Sequence, residues 1–472
     1  MPDGWTNFCC RAGGSNLNAG STDGSNTEEP VSAAHTYSGG SYTSPIFTVA
    51  SGDPSSDGVQ VGQFAALNDG GATAIYLARI TAVSSTTITL STTYDSGSIP
   101  ASGTYELRVG GAWQGPNGAE TFPFGTLDNN LRKEADSSTH RPFVNLKNDQ
   151  TYSITTQLNV GNIQGYGTTY GDGEKALIQG PATGASFYLC SFESYASDLI
   201  LDRNGDSGTT GGAFAQYAGL FRVTCRNMMG PGFYMYRYNW AVECEAYNNN
   251  EEGFEDAGSS SPNSFTRCIA RGNTSYGFSI KTHPAVVSQC VAAENSYGFY
   301  VTSRVCFVSG CTAYNNVNDG FRYAGGSSNG PALFESNFSA ANGGYGLNVR
   351  TNYGGALDTN IFMNNRYGVG AEGNTLGDER VSGSPGYGNI NKNVIKYDNA
   401  TPLPSGTVGM NDPANGDFRI VAEALQQAGR GGYTQEEPGQ SGMVGFPDIG
   451  AGQSYIAGGG MIRSGMSGGF NG

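Results

Sequence analysis

The chain has 472 residues, a formal net charge of −15 at pH 7 and 73 glycines, which do not recur at every third position. The glycine pattern excludes a collagen triple helix, and the acidic balance opposes nucleic-acid binding, which requires a basic surface. No apolar run approaches the ~20 residues of a membrane-spanning helix. We therefore expect neither a nucleic-acid partner nor membrane insertion.

The N-terminal part of the chain divides into two segments. Residues 1–45 are rich in Gly, Ser, Thr and Asn, which predicts an extended arm. The start, "MPDGWTNFCCRAGG", has neither a basic segment nor an apolar core, so no Sec signal peptide is expected. Residues 46–118 alternate apolar and polar residues, and "ARITAVSSTTITLS" indicates a hairpin with a Ser-Ser turn. This pattern predicts a small antiparallel β-domain over 46–118.

A repeat fills much of the segment 119–400. A glycine followed by an apolar residue returns every 21 to 26 residues, with an asparagine three to five residues before nearly every step. The steps begin at Gly232, Gly253, Gly277, Gly298, Gly320, Gly346 and Gly368. A cysteine precedes five of them, at Cys225, Cys244, Cys268, Cys290 and Cys311. Short strand-like runs cut by Gly and Asn predict coils of three strands, stacked as a parallel β-helix.

Stacked coils bring equivalent residues directly above one another. We expect phenylalanines such as Phe299 to form an inward aromatic stack, and the cysteines to form an inward column of reduced thiols that Cys190 extends. The asparagines should occupy a tight bend, where left-handed geometry is tolerable for them and their amides can bond along the stack. Each repeat glycine should permit a backbone turn that a Cβ would hinder.

Two stretches resemble a known family. "CTAYNNVNDGFRYA" with its sister units, and "LNVGNIQGYGTTYGDGEKALIQG" at 158–180, resemble the right-handed parallel β-helix, or pectate-lyase-like, family. The resemblance covers about 122–400. It implies an all-β chain with a right-handed, single-stranded parallel β-helix behind the antiparallel domain. Because this fold hosts many unrelated functions, the resemblance implies no particular activity.

The repeat stops near residue 400. Within 401–472, "NGDFRIVAEALQQAGRGG" contains a helical pattern at about 421–428, and a Gly-rich tail follows it. Such a helix would cap the last coil and cover an open sheet edge, which otherwise invites aggregation. We therefore predict a short C-terminal cap and tail over 401–472.

One outer face of the predicted β-helix holds the candidate functional residues. The residue two after each repeat glycine should face outward, next to the acidic cluster "EEGFED" at 251–256. The candidates for glycan binding are Tyr234, Glu255, Tyr300, Arg322 and Arg350. The candidates for catalysis are Glu255, Lys281, His283 and Arg322. Catalysis, glycan binding and a plain or interfacial surface all stay open for this face.

Other motifs are weak or absent. The Asn-Thr-Asp, Asp-Asp and Gly-His-Gly set of polygalacturonases is missing, as are a P-loop and zinc motifs. Asp202, Asn204 and Asp206 alternate as in calcium loops but lack the later bidentate glutamate, and an Asn-Gly turn is the favoured explanation. Apart from this Ca²⁺ candidate, no cofactor is expected.

Three functional hypotheses follow. The arrangement resembles bacteriophage spike, fibre and head-decorating proteins, which implies a structural or adhesive virion subunit, released without a Sec signal. Such a subunit would self-associate as a homotrimer or larger assembly, contact other virion proteins through its N-terminal region and bind surface polysaccharide. The alternatives are a polysaccharide lyase or glycosidase, and a non-viral extracellular adhesin or filament subunit. The missing catalytic motifs favour a protein that is not an enzyme.

Overall fold

All regular elements in the described residues are β-strands. The computed structural model describes residues 5–12, 14–15, 19, 34–70, 76–92, 99–111, 141–153, 158–160, 162–180, 187–203, 213–257, 262–281, 285–302, 306–324, 332–335, 337–340, 342–344, 346–349, 361–363, 366–367, 390–392, 395–396, 410–412 and 417–420. Within these residues no helix has the length and apolarity to cross a lipid bilayer. The strands form a three-sided parallel β-helix and a separate antiparallel barrel, which confirms the predicted fold class.

Each coil of the β-helix gives one strand to each of three parallel sheets. Two long strands, β13 (Phe187–Ser197) and β15 (Ala213–Phe221), bend and contribute to both sheet 1 and sheet 2. The other strands of sheet 1 are β10 (Leu158–Val160), β17 (Phe233–Arg237), β20 (Phe254–Asp256), β23 (Tyr276–Ile280), β26 (Tyr297–Val301), β29 (Phe321–Tyr323) and β32 (Leu347–Val349).

Sheets 2 and 3 form the remaining sides. The other strands of sheet 2 are β1 (Trp5–Cys10), β8 (Arg141–Lys147), β11 (Asn162–Tyr166), β18 (Trp240–Val242), β21 (Asn263–Thr266), β24 (Ala285–Ser288), β27 (Cys306–Ser309), β30 (Ala332–Glu335), β33 (Ile361–Met363) and β35 (Ile390–Lys392). Sheet 3 consists of β9 (Thr151–Ser153), β12 (Ala176–Gln179), β14 (Leu199–Asp202), β16 (Thr224–Arg226), β19 (Glu245–Tyr247), β22 (Ile269–Arg271), β25 (Val291–Ala293), β28 (Thr312–Tyr314), β31 (Phe338–Ala340), β34 (Arg366–Tyr367) and β36 (Ile395–Lys396).

A column of phenylalanine rings fills the core behind sheet 1. Neighbouring rings lie 4.7 to 4.8 Å apart between centroids, with interplanar angles of 3° to 6°. This spacing equals the distance between strands, so each coil adds one ring to the stack. The rings, all fully buried, are Phe233, Phe254, Phe278, Phe299 and Phe321. The predicted inward stack is therefore present.

A buried asparagine ladder runs beside the phenylalanine column. Asn295 shows its geometry: its Oδ1 accepts from the backbone N of Asn273 at 3.0 Å and from Nδ2 of Asn273 at 2.8 Å. Its own Nδ2 donates to Oδ1 of Asn316 at 3.2 Å and to the carbonyl of Ala270 at 3.0 Å. The members are Asn249, Asn273, Asn295, Asn316 and Asn342. The amides of Asn249, Asn273, Asn295 and Asn316 therefore each join their own coil to both neighbouring coils.

The left-handed backbone lies one residue before the ladder. Asn248, Glu294 and Asn315 have φ of 55°, 58° and 50°, and each directly precedes a ladder asparagine. The bend that the asparagines were expected to occupy therefore takes its left-handed geometry from the residue before each of them, while the ladder amides point into the core. Asn227 does have a φ of 56°, but it makes the turn and stands outside the ladder.

The repeat glycines are required by close packing. None of Gly232, Gly253, Gly277, Gly298 and Gly320 has a positive φ. A Cβ on Gly253 would lie 2.7 Å from the carbonyl oxygen of Gly277 and 2.8 Å from Cβ of Ala270. The glycines therefore serve the approach of one coil to the next, and the predicted need for a special turn conformation is wrong.

The cysteine column has a different first member from the predicted one. Cys225 lies in β16, in register with Leu201 and Ala246, whereas Val223 holds the place that Cys244 takes one coil later. Cys244, Cys268, Cys290 and Cys311 do form a column, and every cysteine whose side chain is described is buried as a thiol and not in a disulfide. Burial raises the pKa of the Cys268 and Cys290 thiols, which keeps them protonated. Cys190 lies outside the described side chains.

The antiparallel domain is a closed six-stranded barrel. Its strands, in the order β2–β3–β6–β5–β4–β7, are β2 (His35–Thr43), β3 (Ile46–Thr48), β4 (Phe64–Asn68), β5 (Tyr76–Val83), β6 (Thr87–Leu90) and β7 (Gly103–Val109). The predicted hairpin is β5–β6, and the Oγ of Ser84 accepts the N–H groups of Thr86 and Thr87 at its turn. The barrel encloses a core of its own around Tyr42 and Phe47.

The arm predicted over 1–45 differs from the structure at both ends. Strand β1 pairs in parallel with β8 as part of sheet 2, and β2 belongs to the barrel. The barrel is thus inserted between the first two strands of sheet 2. Phe64 of the barrel packs edge-on against Phe8 at 5.4 Å, within the same core cluster as Leu146. The barrel therefore covers apolar positions at the N-terminal end of the β-helix.

Little of the C-terminal region lies within the described residues. Strands β37 (Met410–Asp412) and β38 (Asp417–Ile420) form an antiparallel pair. The predicted helical cap at 421–428 and the Gly-rich tail lie outside the described residues.

We expect Asn295→Ala to lower the free energy of unfolding by on the order of 3 kcal/mol, because it leaves buried N–H groups of Asn273 without an acceptor. Urea denaturation followed by circular dichroism measures the change. Asn318→Ala is the matched control: Asn318 is half-buried, and its Nδ2 donates only to the carbonyl of Ser296, at 3.1 Å. Equal midpoints for the two variants would contradict a supporting role for the ladder.

Candidate functional site

The outer surface of sheet 1 gathers side chains from successive coils. Along each strand the residue after the buried phenylalanine points outward, because side chains alternate between the two faces. The strand register stacks these residues in one column: Tyr234, Glu255, Ser279, Tyr300, Arg322 and Asn348. Asp256, the last member of the acidic cluster, instead faces the core, where Nδ2 of Asn263 donates to it at 2.6 Å.

Three tyrosines form an aromatic cluster on this surface. The rings of Tyr276 and Tyr300 are stacked, with centroids 4.5 Å apart and an interplanar angle of 16°. The ring of Tyr297 lies 5.1 Å from that of Tyr276. All three side chains are half-buried. The cluster therefore presents aromatic surface to solvent while its rings are fixed against each other.

Arg322 covers one side of the tyrosine cluster. Its guanidinium carbon lies 5.7 Å from the ring centroid of Tyr297 and 5.5 Å from that of Tyr300, within cation–π range. Its Nε is buried without a hydrogen-bond partner, and no carboxylate in the described part of the chain pairs with it. By contrast, Arg222 and Arg271 each bind a carboxylate of a neighbouring coil. Arg322 thus has unused hydrogen-bonding capacity beside an aromatic surface.

Glu255 and Lys281 form an ion pair beside the cluster. Nζ of Lys281 donates to Oε1 of Glu255 at 2.6 Å, with 41% of the lysine side chain and 16% of the glutamate side chain exposed. Partial burial opposes the charge on Lys281, but the hydrogen bond and the charge of Glu255 outweigh it and raise the lysine pKa. Lys281 is therefore held in its protonated form at neutral pH.

Two further glutamates lie at the acidic end of the face. Ser275 Oγ donates to Oε1 of Glu252 at 3.4 Å. Partial burial raises the pKa of Glu251, and the negative charges of Glu252 and Glu255 raise it further. Carboxylates therefore collect at one end of the column and an arginine stands toward the other, with tyrosines between them.

The small members of the column allow this arrangement. Ser279 is fully buried at the register position between Glu255 and Tyr300, and its Oγ has no hydrogen-bond partner among the described residues. Asn348 is also buried, and its Nδ2 donates to Oδ2 of Asp319 at 2.7 Å. Larger side chains of adjacent coils therefore close over these positions.

The remaining sequence-based candidates fall in different places. Tyr234 is half-buried and adjoins Glu255 in register. His283 and Arg350 lie outside the described residues, as do Asn204 and Asp206. Asp202 lies on sheet 3, where its carboxylate accepts from Nε of Arg226 at 2.7 Å. Among the described residues no cluster of three His, Cys, Asp or Glu side chains could hold a metal ion.

Tyr276 and Tyr297 were not among the sequence-based candidates. Both stand directly before a repeat glycine, in "YGF", whereas the predicted columns began two residues after it. The repeated Tyr-Gly pair was the available signal. The strands β23 and β26 begin at these tyrosines and bring them beside Tyr300.

Sheet 3 provides a contrast, because its outer side chains satisfy one another. Tyr247 lies between two arginines: its hydroxyl accepts from Nη1 of Arg226 at 2.8 Å, and the guanidinium of Arg271 lies 4.7 Å from its ring centroid. Arg226 also binds Asp202, and Arg271 binds Glu245. On sheet 3 these arginines and carboxylates are therefore paired with one another, whereas Arg322 on sheet 1 is not paired with a carboxylate of the described residues.

Comparison with known proteins supports the fold. Residues 144–333 match a family described as "Right handed beta helix region". Together with the three parallel sheets, this match confirms the predicted right-handed parallel β-helix fold. No curated protein matches the sequence.

Several solved structures are similar at low identity. The A-module of the Azotobacter vinelandii mannuronan C-5 epimerase AlgE4 has 18% identity and a TM-score of 0.41, over 51% of this chain and 72% of its own. The pectate lyase Pel9A has 17% identity and a TM-score of 0.36, over 68% and 90%. ORF18 of Geobacillus virus E2 has 10% identity and a TM-score of 0.33, over 58% and 56%. Similarities at this level carry no information about activity.

We expect Lys281 to react slowly with an amine-reactive ester at mildly alkaline pH, because its raised pKa leaves less of the neutral amine that attacks the reagent. Glu255→Gln removes the charge that holds the proton, so Lys281 should react faster in that variant. Peptide mass spectrometry measures both rates. Faster reaction in the wild-type protein would contradict the ion-pair geometry.

Proposed function

We propose that this chain is a structural and adhesive subunit of an assembled particle, and that the outer face of sheet 1 binds a glycan. The observation that carries the proposal is the half-buried tyrosine cluster with Arg322 beside it. Aromatic faces pack against the apolar faces of sugar rings, while a guanidinium with unused donors and nearby carboxylates can bond sugar hydroxyls. The face combines both kinds of contact.

The stacked coils suit a linear ligand. Equivalent positions repeat along the axis with the strand spacing of ~4.8 Å, so contacts recur along an extended chain of sugar units. The side chains stand on sheet strands held by the buried phenylalanine and asparagine columns. Little conformational freedom is then lost on binding, which favours affinity from a modest contact area.

The ion pair argues against Lys281 as a catalytic base. A general base must be deprotonated near the operating pH, and such lysines have lowered pKa values. Here Glu255 raises the pKa of Lys281 and is itself occupied by the lysine. The same pairing leaves Glu255 poorly placed to act as a nucleophile toward a sugar.

Polysaccharide cleavage is the second candidate function. The cluster of Glu251, Glu252 and Glu255 favours it, since glycoside hydrolysis uses paired carboxylates, and partial burial and the neighbouring charges raise the pKa of Glu251. Incubation with polygalacturonate and alginate distinguishes the two functions. The adhesive proposal expects neither unsaturated products that absorb in the ultraviolet nor new reducing ends. Product formation that Glu251→Gln abolishes would favour the enzyme.

A bacteriophage virion is the setting that we propose for the particle. The barrel at the N-terminal end offers a compact domain for attachment to other virion proteins, and the β-helix extends a binding face away from it. In this proposal the chain acts at the virion surface, outside cells, on a cell-surface polysaccharide. A non-viral extracellular adhesin would use the same face, and the genes beside the coding sequence separate these settings.

We expect Tyr300→Ala and Arg322→Ala each to weaken glycan binding about tenfold, since loss of one aromatic or charged contact costs on the order of 1.4 kcal/mol. Polygalacturonate, alginate and dextran serve as probes, and isothermal titration calorimetry measures binding. The face loses stacking surface in the first variant and the guanidinium in the second.

Tyr314→Ala is the matched control for these variants. Tyr314 is also a half-buried tyrosine, but it stands on sheet 3, so its loss should leave glycan binding unchanged. The proposal fails for these probes if the wild-type protein binds none of them. It also fails if Tyr314→Ala weakens binding as much as Tyr300→Ala does.

A further inference from the structure

Sheet 2 carries an outward apolar stripe along the axis of the β-helix. We call this column the sheet 2 stripe. The strand register stacks its members one above another: Tyr195, Gly219, Trp240, Ser264, Val286 and Phe307. Trp240 is 45% exposed and Val286 42% exposed, which are large fractions for apolar side chains. The same register continues through positions 333, 361 and 390, where the sequence has Leu, Ile and Ile.

The aromatic side chains of the stripe pack against the sheet and against each other. The ring of Trp240 lies over Gly219, where a Cβ would overlap it. The ring of Tyr195 lies 6.1 Å from that of Trp240. Gly219 therefore provides the space that holds the tryptophan flat on the sheet. Along the column the small Ser264 follows Trp240, and Val286 and Phe307 come after it.

Charge is absent from this part of sheet 2. The strands β18, β21, β24 and β27 contain no charged residue. The chain as a whole carries a net charge of −15, and strands of the same coils on the other sheets contain Glu255 and Arg271. Two acidic copies repel each other least where they meet on a neutral surface.

The dimensions suit an interface between subunits. Eight strand spacings from position 195 to position 390 give a length of roughly 38 Å, and four residues give a width of roughly 13 Å. The face thus measures roughly 500 Å² on each copy, or roughly 1,000 Å² for a pair. This total reaches the lower bound of roughly 1,000 Å² for a specific interface.

We infer that copies of this chain associate through sheet 2, with the sheet 2 stripe of one copy against that of another. The inference deepens the assembly part of the proposed function and rests on it. A second copy is the occupant that the stripe fits, because it presents the same stripe with the same coil spacing and is equally uncharged over β18, β21, β24 and β27. The two stripes can then contact each other along the axis in a symmetric interface.

The test compares two valines of one coil. Val286→Glu places a carboxylate in the sheet 2 stripe, and Val291→Glu places one on the outer face of sheet 3 five residues later. Analytical ultracentrifugation over a range of concentrations measures association, and circular dichroism checks the fold. We expect wild type and Val291→Glu to form the same oligomer, and Val286→Glu to dissociate at concentrations at least about tenfold higher.

Three outcomes would overturn the inference. They are a monomeric wild-type protein at every soluble concentration, an oligomer that Val286→Glu leaves intact, and equal dissociation by both substitutions. Trp240→Glu gives a second reading if Val286→Glu does not fold. Calorimetry of glycan binding to a monomeric, folded Val286→Glu protein tests the sheet 1 proposal separately from the sheet 2 inference. Retained binding supports the sheet 1 proposal whether or not sheet 2 is the interface.

Discussion

Stacking of equivalent residues in successive coils is the constraint on which this structure depends. The ladder amide of Asn295 takes part in four hydrogen bonds that join three coils, and Phe299 repeats at the strand spacing beside it. A coil out of register would lose both the buried hydrogen bonds and the ring stacking at once. Close approach of the coils also requires Gly253 and its equivalents, because a Cβ would meet the next coil's backbone.

The outer surfaces acquire different properties because only inward positions are constrained. Sheet 3 carries arginines that bind carboxylates of neighbouring coils, as Arg226 binds Asp202. Sheet 2 is neutral and apolar around Trp240 and Val286. Sheet 1 places tyrosines beside Arg322, whose Nε has no partner within the described residues. One scaffold thereby offers three different faces. On sheet 3 the charged side chains pair with one another, sheet 2 is suited to association, and sheet 1 is suited to a polar, ring-shaped ligand.

The repeat in the sequence was sufficient to predict the core but not the details of each turn. Phe299 and Asn295 follow from spacing alone, since their positions relative to the repeat glycine vary little. Accepting any cysteine seven to nine residues before the glycine misassigned Cys225, which stands seven residues before Gly232, whereas Val223 takes the column position nine residues before it. The Glu255–Lys281 pair spans adjacent columns and needed coordinates. The pairing of β1 with β8 was also hidden, because the whole barrel intervenes between them.

Disulfide trapping on sheet 3 tests the register most directly. Ile269 and Val291 are register partners on adjacent coils, with backbones ~4.8 Å apart, whereas Glu245 and Val291 stand two coils, or ~9.6 Å, apart. Disulfides require Cα atoms within ~7 Å. Mild oxidation should therefore bridge the folded variant Ile269→Cys/Val291→Cys and leave Glu245→Cys/Val291→Cys reduced. Bridging of the second variant, or failure of the first, would contradict the stacking of like residues on which the account rests.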